Sequence, residues 1–368
     1  MNQTVSPKKS RILVAPLDWG LGHATRCIPL ITALLKKNCE VILAGEGKTA
    51  TLLQTEFPQL LFLPLTGYNV QYAKKRAAST GKLFLQIPKI LAAIRQEQAW
   101  LQKIVTAYKI DAVISDNRYG LHHKTIPSVF ITHQLLIKTG FGSLADRALQ
   151  KLNYRYLNRF TECWVPDSNE GFHLAGDLSY PAVLPLIPTR YIGILSRYKP
   201  PDSTPLTHYL LIILSGPEPQ RTVLEKLLLQ QVKNIQQPVF FVRGLPGTIT
   251  LPSVPYHVTI TNHLATATLQ KAMEGAAFVI SRCGYSTVMD IATLQKKSIL
   301  IPTPGQTEQE YLAKHLTKNN MALCIPQSKL GLKNALELAA TFPYEFRSVF
   351  NNDNLSVAID SLLKKLEF

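Results

Sequence analysis

The chain is short of acid. Its 368 residues hold 40 Lys+Arg against 24 Asp+Glu, a formal net charge of +16, and charged residues are only 17% of the whole. It also lacks a C-x-x-C pair, an Asp-x-Asp pair and any long apolar run. Each absence removes a class. The five cysteines (Cys27, Cys39, Cys163, Cys283, Cys324) are odd in number and widely spaced. Neither a disulfide framework nor a zinc site is therefore expected, and a reducing cytoplasmic setting is. Runs such as Leu210–Leu214 fall far short of the ~20 residues that cross a bilayer. Lys8, Lys9 and Arg11 precede Ile12–Leu17, which is too short for a signal-peptide core and ends at Asp18. Hydrophobic residues, at 46%, are spread along the chain and exclude disorder as the main state. At about 100–200 residues per domain the length suits two domains.

The excess charge is uneven. Residues 1–200 carry 25 basic and 12 acidic side chains, net +13, which leaves +3 for residues 201–368. A basic field favours nucleic acid, phosphorylated substrates or an anionic membrane, or is simply a soluble surface. No nucleic-acid recognition module or Arg–aromatic platform is visible, so no nucleic-acid partner is expected.

Short apolar runs alternate with helical periodicity. Arg11–Leu17, Glu40–Ala44, Leu60–Leu65, Asp111–Ser115 and Ser128–Thr132 read as strands, with helices from about Thr25 to Lys36 and from Lys82 to Tyr108, the latter kinked at Pro88. Arg197–Pro205 holds three prolines and reads as a linker. Strands at Tyr209–Leu214, Val239–Arg243, His257–Thr261, Phe278–Ser281 and Ser298–Pro302 follow. Helices are expected at Pro219–Val232, Leu264–Met273, Ser286–Thr293, Glu308–Thr317 and Asn354–Lys365. This pattern implies α/β architecture: two parallel-sheet, Rossmann-like halves facing across a cleft. The expected units are 1–198, 199–345 and a helical tail, 346–368, packing back on the first.

Three strand-to-helix turns carry the chemistry. In Gly20-Leu21-Gly22-His23-Ala24-Thr25-Arg26, Gly20 and Gly22 let a ligand approach the backbone, and a helix start favours anions. Thr25 stands where a dinucleotide fingerprint needs Gly or Ala, which argues against NAD. His23 is suited to general-base work near neutral pH, or is structural. In Ser281-Arg282-Cys283-Gly284-Tyr285-Ser286-Thr287, Gly284 allows close approach, while Ser286 and Thr287 offer hydroxyls and amides to a diphosphate. Asp290, one turn on, is read as a ribose ligand or as an acid complementing the helix dipole. Pro302–Tyr311 clusters Gln306, Glu308, Gln309 and Glu310 where sugar hydroxyls would be read, or where a helix start is solvated.

These motifs resemble glycosyltransferase family 28, the MurG-like UDP-sugar transferases of GT-B fold. The family's donor motif, Arg-Ser-Gly followed by Thr and a ribose-binding acid, is matched by Arg282, Cys283, Gly284, Thr287 and Asp290. Its paired glutamines are matched by Gln309-Glu310, and its Gly-Gly-His turn by Gly20–His23. Three residues depart: Asp290 replaces Glu, Glu310 replaces Gln, and Asp18-Trp19 interrupts the glycine-rich loop. These departures set the chain apart from the peptidoglycan enzyme within the family and leave the donor sugar open.

The resemblance implies a UDP-sugar donor on the second domain, with Arg243-Gly244 and His263-Leu264 framing the base and Ser215-Gly216-Pro217 forming a wall of the site or simply a turn. Transfer would invert the anomeric carbon. His23 would take the acceptor's proton, and the Gly284–Thr287 amides, with Arg282, would stabilise the leaving UDP. The missing Asp-x-Asp fits a metal-independent reaction without cofactor. On the acceptor side, Asp116 is read as orienting His23, as binding acceptor or as an ordinary turn residue. Arg118, His133 and Gln134 carry the same ambiguity. Tyr68–Arg76 with Lys82–Leu85 mixes aromatic, apolar and basic residues. Lys74, Lys75 and Arg76 suit an anionic membrane, or a solvated loop. The overall reading is a hexosyl or GlcNAc-type transferase acting on a lipid-linked or glycan acceptor, cytoplasmic or at the inner face of the plasma membrane. A UDP-sugar 2-epimerase-like isomerase and a non-catalytic nucleotide-binding subunit are the alternatives.

Overall fold

The computed structural model describes residues 9–68, 86–201, 209–245, 247, 249–347 and 353–367. The first sheet is built from β1 (Arg11–Pro16), β2 (Glu40–Gly45), β3 (Leu61–Pro64), β4 (Ala112–Asp116), β5 (Ser128–Ile131), β6 (Glu162–Val165) and β7 (Thr189–Tyr191). All pairs are parallel, in the order β3-β2-β1-β4-β5-β6-β7. Helices α1 (Leu21–Lys36), α2 (Gly47–Glu56), α3 (Ile87–Tyr108) and α4 (Ser143–Leu157) connect its strands. The central strands are apolar on both faces because helices cover both sides. In β1, Ile12, Leu13, Val14 and Ala15 are all fully buried.

The second sheet contains β8 (Tyr209–Ile213), β9 (Val239–Val242), β10 (Val258–Thr261), β11 (Ala276–Arg282), β12 (Ser298–Ile301) and β13 (Leu323–Cys324). Its parallel order is β10-β9-β8-β11-β12-β13. Helices α5 (Gln220–Gln231), α6 (Thr266–Glu274), α7 (Tyr285–Leu294), α8 (Thr307–Lys318) and α9 (Leu332–Thr341) complete it. The last helix, α10 (Asp353–Lys364), returns to the first domain. Ala358, Ile359 and Leu362 sit in the same apolar cluster as α1. Lys37 reaches Asp360 at 2.7 Å, and Arg190 bonds Ser361 at 3.0 Å.

Several boundaries differ from the sequence expectation. α1 begins four residues earlier than Thr25, because Gly20 supplies a backbone turn that periodicity does not register. Pro88 lies in the first turn of α3, where a missing N–H costs nothing, so it starts the helix instead of kinking it. Residues 82–85 and 202–205 lie outside the described residues.

Strand order reverses direction between β1 and β4 in one sheet and between β8 and β11 in the other. In open parallel sheets, ligands bind at the carboxyl end of such a switch point. Both of the glycine turns singled out above stand at these two places, and one apolar cluster runs through α1 and α7 to join the domains.

Candidate active site

The first half of the site begins at Gly20, whose φ of +126° favours glycine and lets the chain leave β1 and enter α1 without a side-chain cap. His23 follows on the first turn, its side chain 18% exposed. The β1–β4 register pairs Pro16 with Asp116 and so places Asp116 at the carboxyl edge of the sheet, beneath α1. Asp116 is fully buried. It accepts from Arg26 Nε at 2.7 Å on one oxygen and from Arg26 Nη2 on the other. His23 Nδ1 stands 3.2 Å from Asp116 Oδ1 and 2.8 Å from Arg26 Nη2. Its role follows the tautomer. With the proton on Nδ1 it donates to Asp116 and leaves a lone pair on Nε2; with the proton on Nε2 it accepts from Arg26.

Charge states follow from these neighbours. Burial alone would raise Asp116, but Arg26 and His23 hold it well below the usual carboxylate range. Burial and then the Arg26 cation lower His23 below its ordinary 6.5, against an opposing pull from Asp116. The imidazole is therefore neutral at neutral pH.

The second half is the start of α7. Gly284 caps it with φ −82° and makes no side-chain cap, and no acid occupies the first turn. A Cβ added at Gly284 would meet open space, so neither strain nor packing within the protein demands glycine there. The uncapped amides of residues 285–287 retain the partial positive charge that suits an anion. Thr287 is half-buried. On the turn after β8, the strand paired with β11, Ser215 is half-buried and Gly216 exposed with φ +97°. His263 and Leu264 are half-buried beyond β10. Burial, then Arg197, lowers the His263 pKa.

The two halves touch. Ser286 Oγ donates to Gly22 O at 2.7 Å, and a Cβ at Gly22 would stand 3.1 Å from that hydroxyl. Gly22 thus admits the other domain rather than a ligand. Tyr285 stacks on His133 with centroids 4.1 Å apart, and its hydroxyl donates to Pro166 O at 2.8 Å. Glu308 accepts from His133 Nε2 at 2.9 Å and from Gln134 Nε2 at 2.5 Å. Burial would raise Glu308; His133, then His23 and Arg26, hold it below the usual range. Gly22, His133 and Gln134 therefore meet Ser286, Tyr285 and Glu308 at the domain junction, with His23 beside them and Asp116 buried beneath.

Other expected site residues serve the scaffold. Arg118 is fully buried, paired with Glu97 at 2.7 Å and bonded to the carbonyls of Pro16 and Thr66, so it does not face an acceptor. Arg282 is also buried and donates to the carbonyls of Gln220, Ile301 and Pro302 behind the α7 turn. Burial lowers its pKa to about 10, and it does not open onto a diphosphate. The Arg243 guanidinium is engaged by Glu225, Asn262 and the Thr250 carbonyl. Gln309 bonds the Thr303 amide and Gln306, and Glu310 accepts from Gly305 N at 3.0 Å, so both brace the turn before α8. Asp290 is held by Ser196 Oγ at 2.7 Å and faces Arg197 at 3.6 Å, so the interdomain linker occupies it and ribose does not find it open. Burial, opposed by Arg197, raises it to about 6. Tyr68 is buried and donates to Glu97 at 2.8 Å, which removes it from any membrane face. Lys74, Lys75 and Arg76 lie outside the described residues.

Three participants were missed as such by the sequence reading: Arg26, Tyr285 and Glu308. Arg26 had a usable signal, since it lies three residues from His23 and so on the same helix face. Tyr285 and Glu308 sit inside motifs already marked, but their partners are on the other domain, which spacing cannot reveal.

This architecture has known counterparts. Residues 257–345 match the glycosyltransferase family 28 C-terminal domain. Two parallel α/β domains with this site at their junction, together with that domain, define a glycosyltransferase of GT-B fold. Over 337 residues the chain is 23% identical to the UDP-N-acetylglucosamine–N-acetylmuramyl-(pentapeptide) pyrophosphoryl-undecaprenol N-acetylglucosamine transferase of Listeria monocytogenes serotype 4a (strain HCC23), covering 86% of each chain. It is 24% identical over 329 residues to the same transferase of Listeria monocytogenes serovar 1/2a (strain ATCC BAA-679 / EGD-e), covering 84% of each. Among solved structures, the kitacinnamycin glycotransferase superposes with a TM-score of 0.60 at 15% identity, over 98% of this chain and 96% of that one. Acinetobacter baumannii MurG gives 0.51 at 15% identity, over 97% and 95%.

Proposed function

We propose that this chain transfers a hexose or GlcNAc-type sugar from a UDP-sugar to a hydroxyl of a lipid-linked acceptor, with inversion. The first domain is then the acceptor side and the second the donor side. The observation that carries the reading is the approach of Ser286 to Gly22, which sets His23 and Asp116 directly against the uncapped start of α7.

An acceptor hydroxyl is a weak nucleophile, and removing its proton during attack lowers the barrier. In the tautomer that donates Nδ1–H to Asp116, His23 offers Nε2 as that base. Asp116 holds the ring and stabilises the imidazolium that forms. The departing UDP gains negative charge on its diphosphate. The amides of residues 285–287 and the Thr287 hydroxyl would meet that charge at the uncapped helix start, and Gly284 leaves room for the phosphate to come close. Donor chemistry is supported by the family 28 domain and by the activity of the similar Listeria transferases.

The test is thermal shift with UDP-, GDP-, ADP- and TDP-sugars, followed by transfer assays on His23→Ala. A stabilising response to UDP-sugars, retained by His23→Ala while transfer falls, is expected. A response only to GDP- or TDP-sugars would overturn the donor, and full transfer by His23→Ala would remove the base.

A further inference from the structure

Glu308 is the second residue of α8, where an acid ordinarily serves its own helix start. Here Glu310 does that service by accepting the Gly305 amide. Both oxygens of Glu308 cross to the first domain instead. Oε1 accepts from His133 Nε2 at 2.9 Å and Oε2 from Gln134 Nε2 at 2.5 Å. The His133 ring is buried and lies on Tyr285, 14° from parallel, so the directions of its two nitrogens are fixed. Nε2 points to Glu308, and Nδ1 stands 3.3 Å from Arg26 Nη1. A guanidinium only donates, so Nδ1 is the acceptor and the His133 proton sits on Nε2, facing the carboxylate. Arg26 in turn reaches Asp116 at 2.7 Å and His23 at 2.8 Å. An unbroken line of contacts thus runs from Glu308 through His133 and Arg26 to His23, from one domain to the other.

We propose, resting on His23 as the base of the transfer above, that Glu308 is a positioning residue for it: closed onto His133, its carboxylate anchors Arg26 and strengthens the base, which is complete only when the domains meet. Two effects act in the same direction. Each bond in such a chain polarises the next, so Glu308 makes His133 Nδ1 a better acceptor and holds Arg26 Nη1 there. The carboxylate also offsets part of the guanidinium charge, which then weighs less on the imidazolium that forms at His23. The groups bearing on His23 are Arg26 on its own helix, Asp116 at the end of β4 and His133 beyond β5, with Glu308 facing from α8. Tyr285, Cys27 and Cys283 nearby stay uncharged: burial pushes up the first two, and the Cys324 thiol together with burial the third. Opening the cleft takes Glu308 away and leaves His133 with Arg26 alone. A base that gains strength on closure is weak while water has access, which spares a bound donor from hydrolysis.

NMR titration of the His23 imidazole in the labelled full chain, assigned by the signal missing from His23→Ala, tests this without reference to transfer. Glu308→Gln removes the charge but keeps an acceptor for His133, and Gln134 can turn its amide to keep the second bond. The His23 midpoint should fall by roughly 0.5–1 pH unit. The acid limb of kcat/KM should move down with it, kcat should fall and UDP-sugar binding should be kept. Small-angle scattering should show the domains still closed. Glu308→Asp, milder for the fold, keeps the charge but draws it back and should give a smaller fall. An unmoved or raised midpoint in whichever variant folds overturns the coupling. A loss of kcat with an unmoved midpoint does so too, since it makes Glu308 a closing contact and nothing more. If the unaltered chain transfers no sugar while the midpoint still falls in Glu308→Gln, the transferase reading fails and the coupling stands. Transfer with an unmoved midpoint removes the coupling alone.

Discussion

At the scale of single residues, the site is a problem in keeping an imidazole neutral. Arg26 is bonded to Asp116 and adjoins His23, so it cancels the carboxylate that would otherwise favour imidazolium. The pH dependence follows from the sign. His23 lies below 6.5, and the base form exists above its pKa, so kcat/KM should be flat through neutrality and fall on the acid side. In Arg26→Gln a lowering influence is lost and Asp116 is left uncompensated, so the acid limb should move to higher pH. A limb that stays in place would separate Arg26 from His23. His23→Ala itself should cost about 10²–10⁴ in kcat, the usual worth of a general base, with UDP-sugar binding kept. His23 was legible in the sequence because a histidine beside a glycine turn at a strand end is locally defined. Arg26 was not, since its meaning depends on a carboxylate 90 positions away.

At the scale of elements, the turns into helices were legible and their ligands were not. The glycine turns before α1 and α7 announce themselves by composition and by the strands before them. Whether Arg282, Asp290 or Gln309 points into the cleft depends on carbonyls and linker residues whose positions only packing settles. Asp290 shows the difference. Its folded pKa of about 6 lies above the ordinary 3.8, so the folded chain holds this proton more tightly than the unfolded one. Its stabilising contribution is complete below 3.8 and is lost as pH rises through about 6. Asp290→Asn, which keeps a partner for Ser196, should therefore raise the melting temperature more at pH 8 than at pH 5. An equal rise at both values would contradict the burial argument. Gly244, by contrast, has φ +68°, and an added Cβ would collide with the Leu214 carbonyl. Gly244→Ala should lower stability, by more than the roughly 1 kcal/mol that separates Gly from Ala in favourable sites, as read by denaturant unfolding.

For the whole molecule, two parallel sheets were readable from alternating strand and helix patterns, and the cleft from their duplication. The contacts that close the cleft were not, because they join residues more than 110 positions apart. Glu308 with His133 and Gln134 is the polar centre of that closure. Asp177 N to Tyr311 OH at 2.8 Å and His315 to the His173 carbonyl at 2.9 Å secure its flank. Glu308→Ala should leave each domain folded yet loosen their approach. An increased radius of gyration by small-angle scattering, with unchanged secondary structure, is the expected readout. An unchanged radius would show that the apolar seam suffices.

The return of α10 to α1 adds a consequence of its own. The polypeptide passes between the domains near residues 196–201 and again before residue 353, so the junction has two strands of chain, not one. Two tethers permit bending about the line that joins them and resist swivelling about any other. A single proteolytic nick in either crossing should therefore leave the fragments associated through α10, whose Ile359 and Leu362 remain seated on the first domain. The enzyme would open like a book bound at two points along its spine.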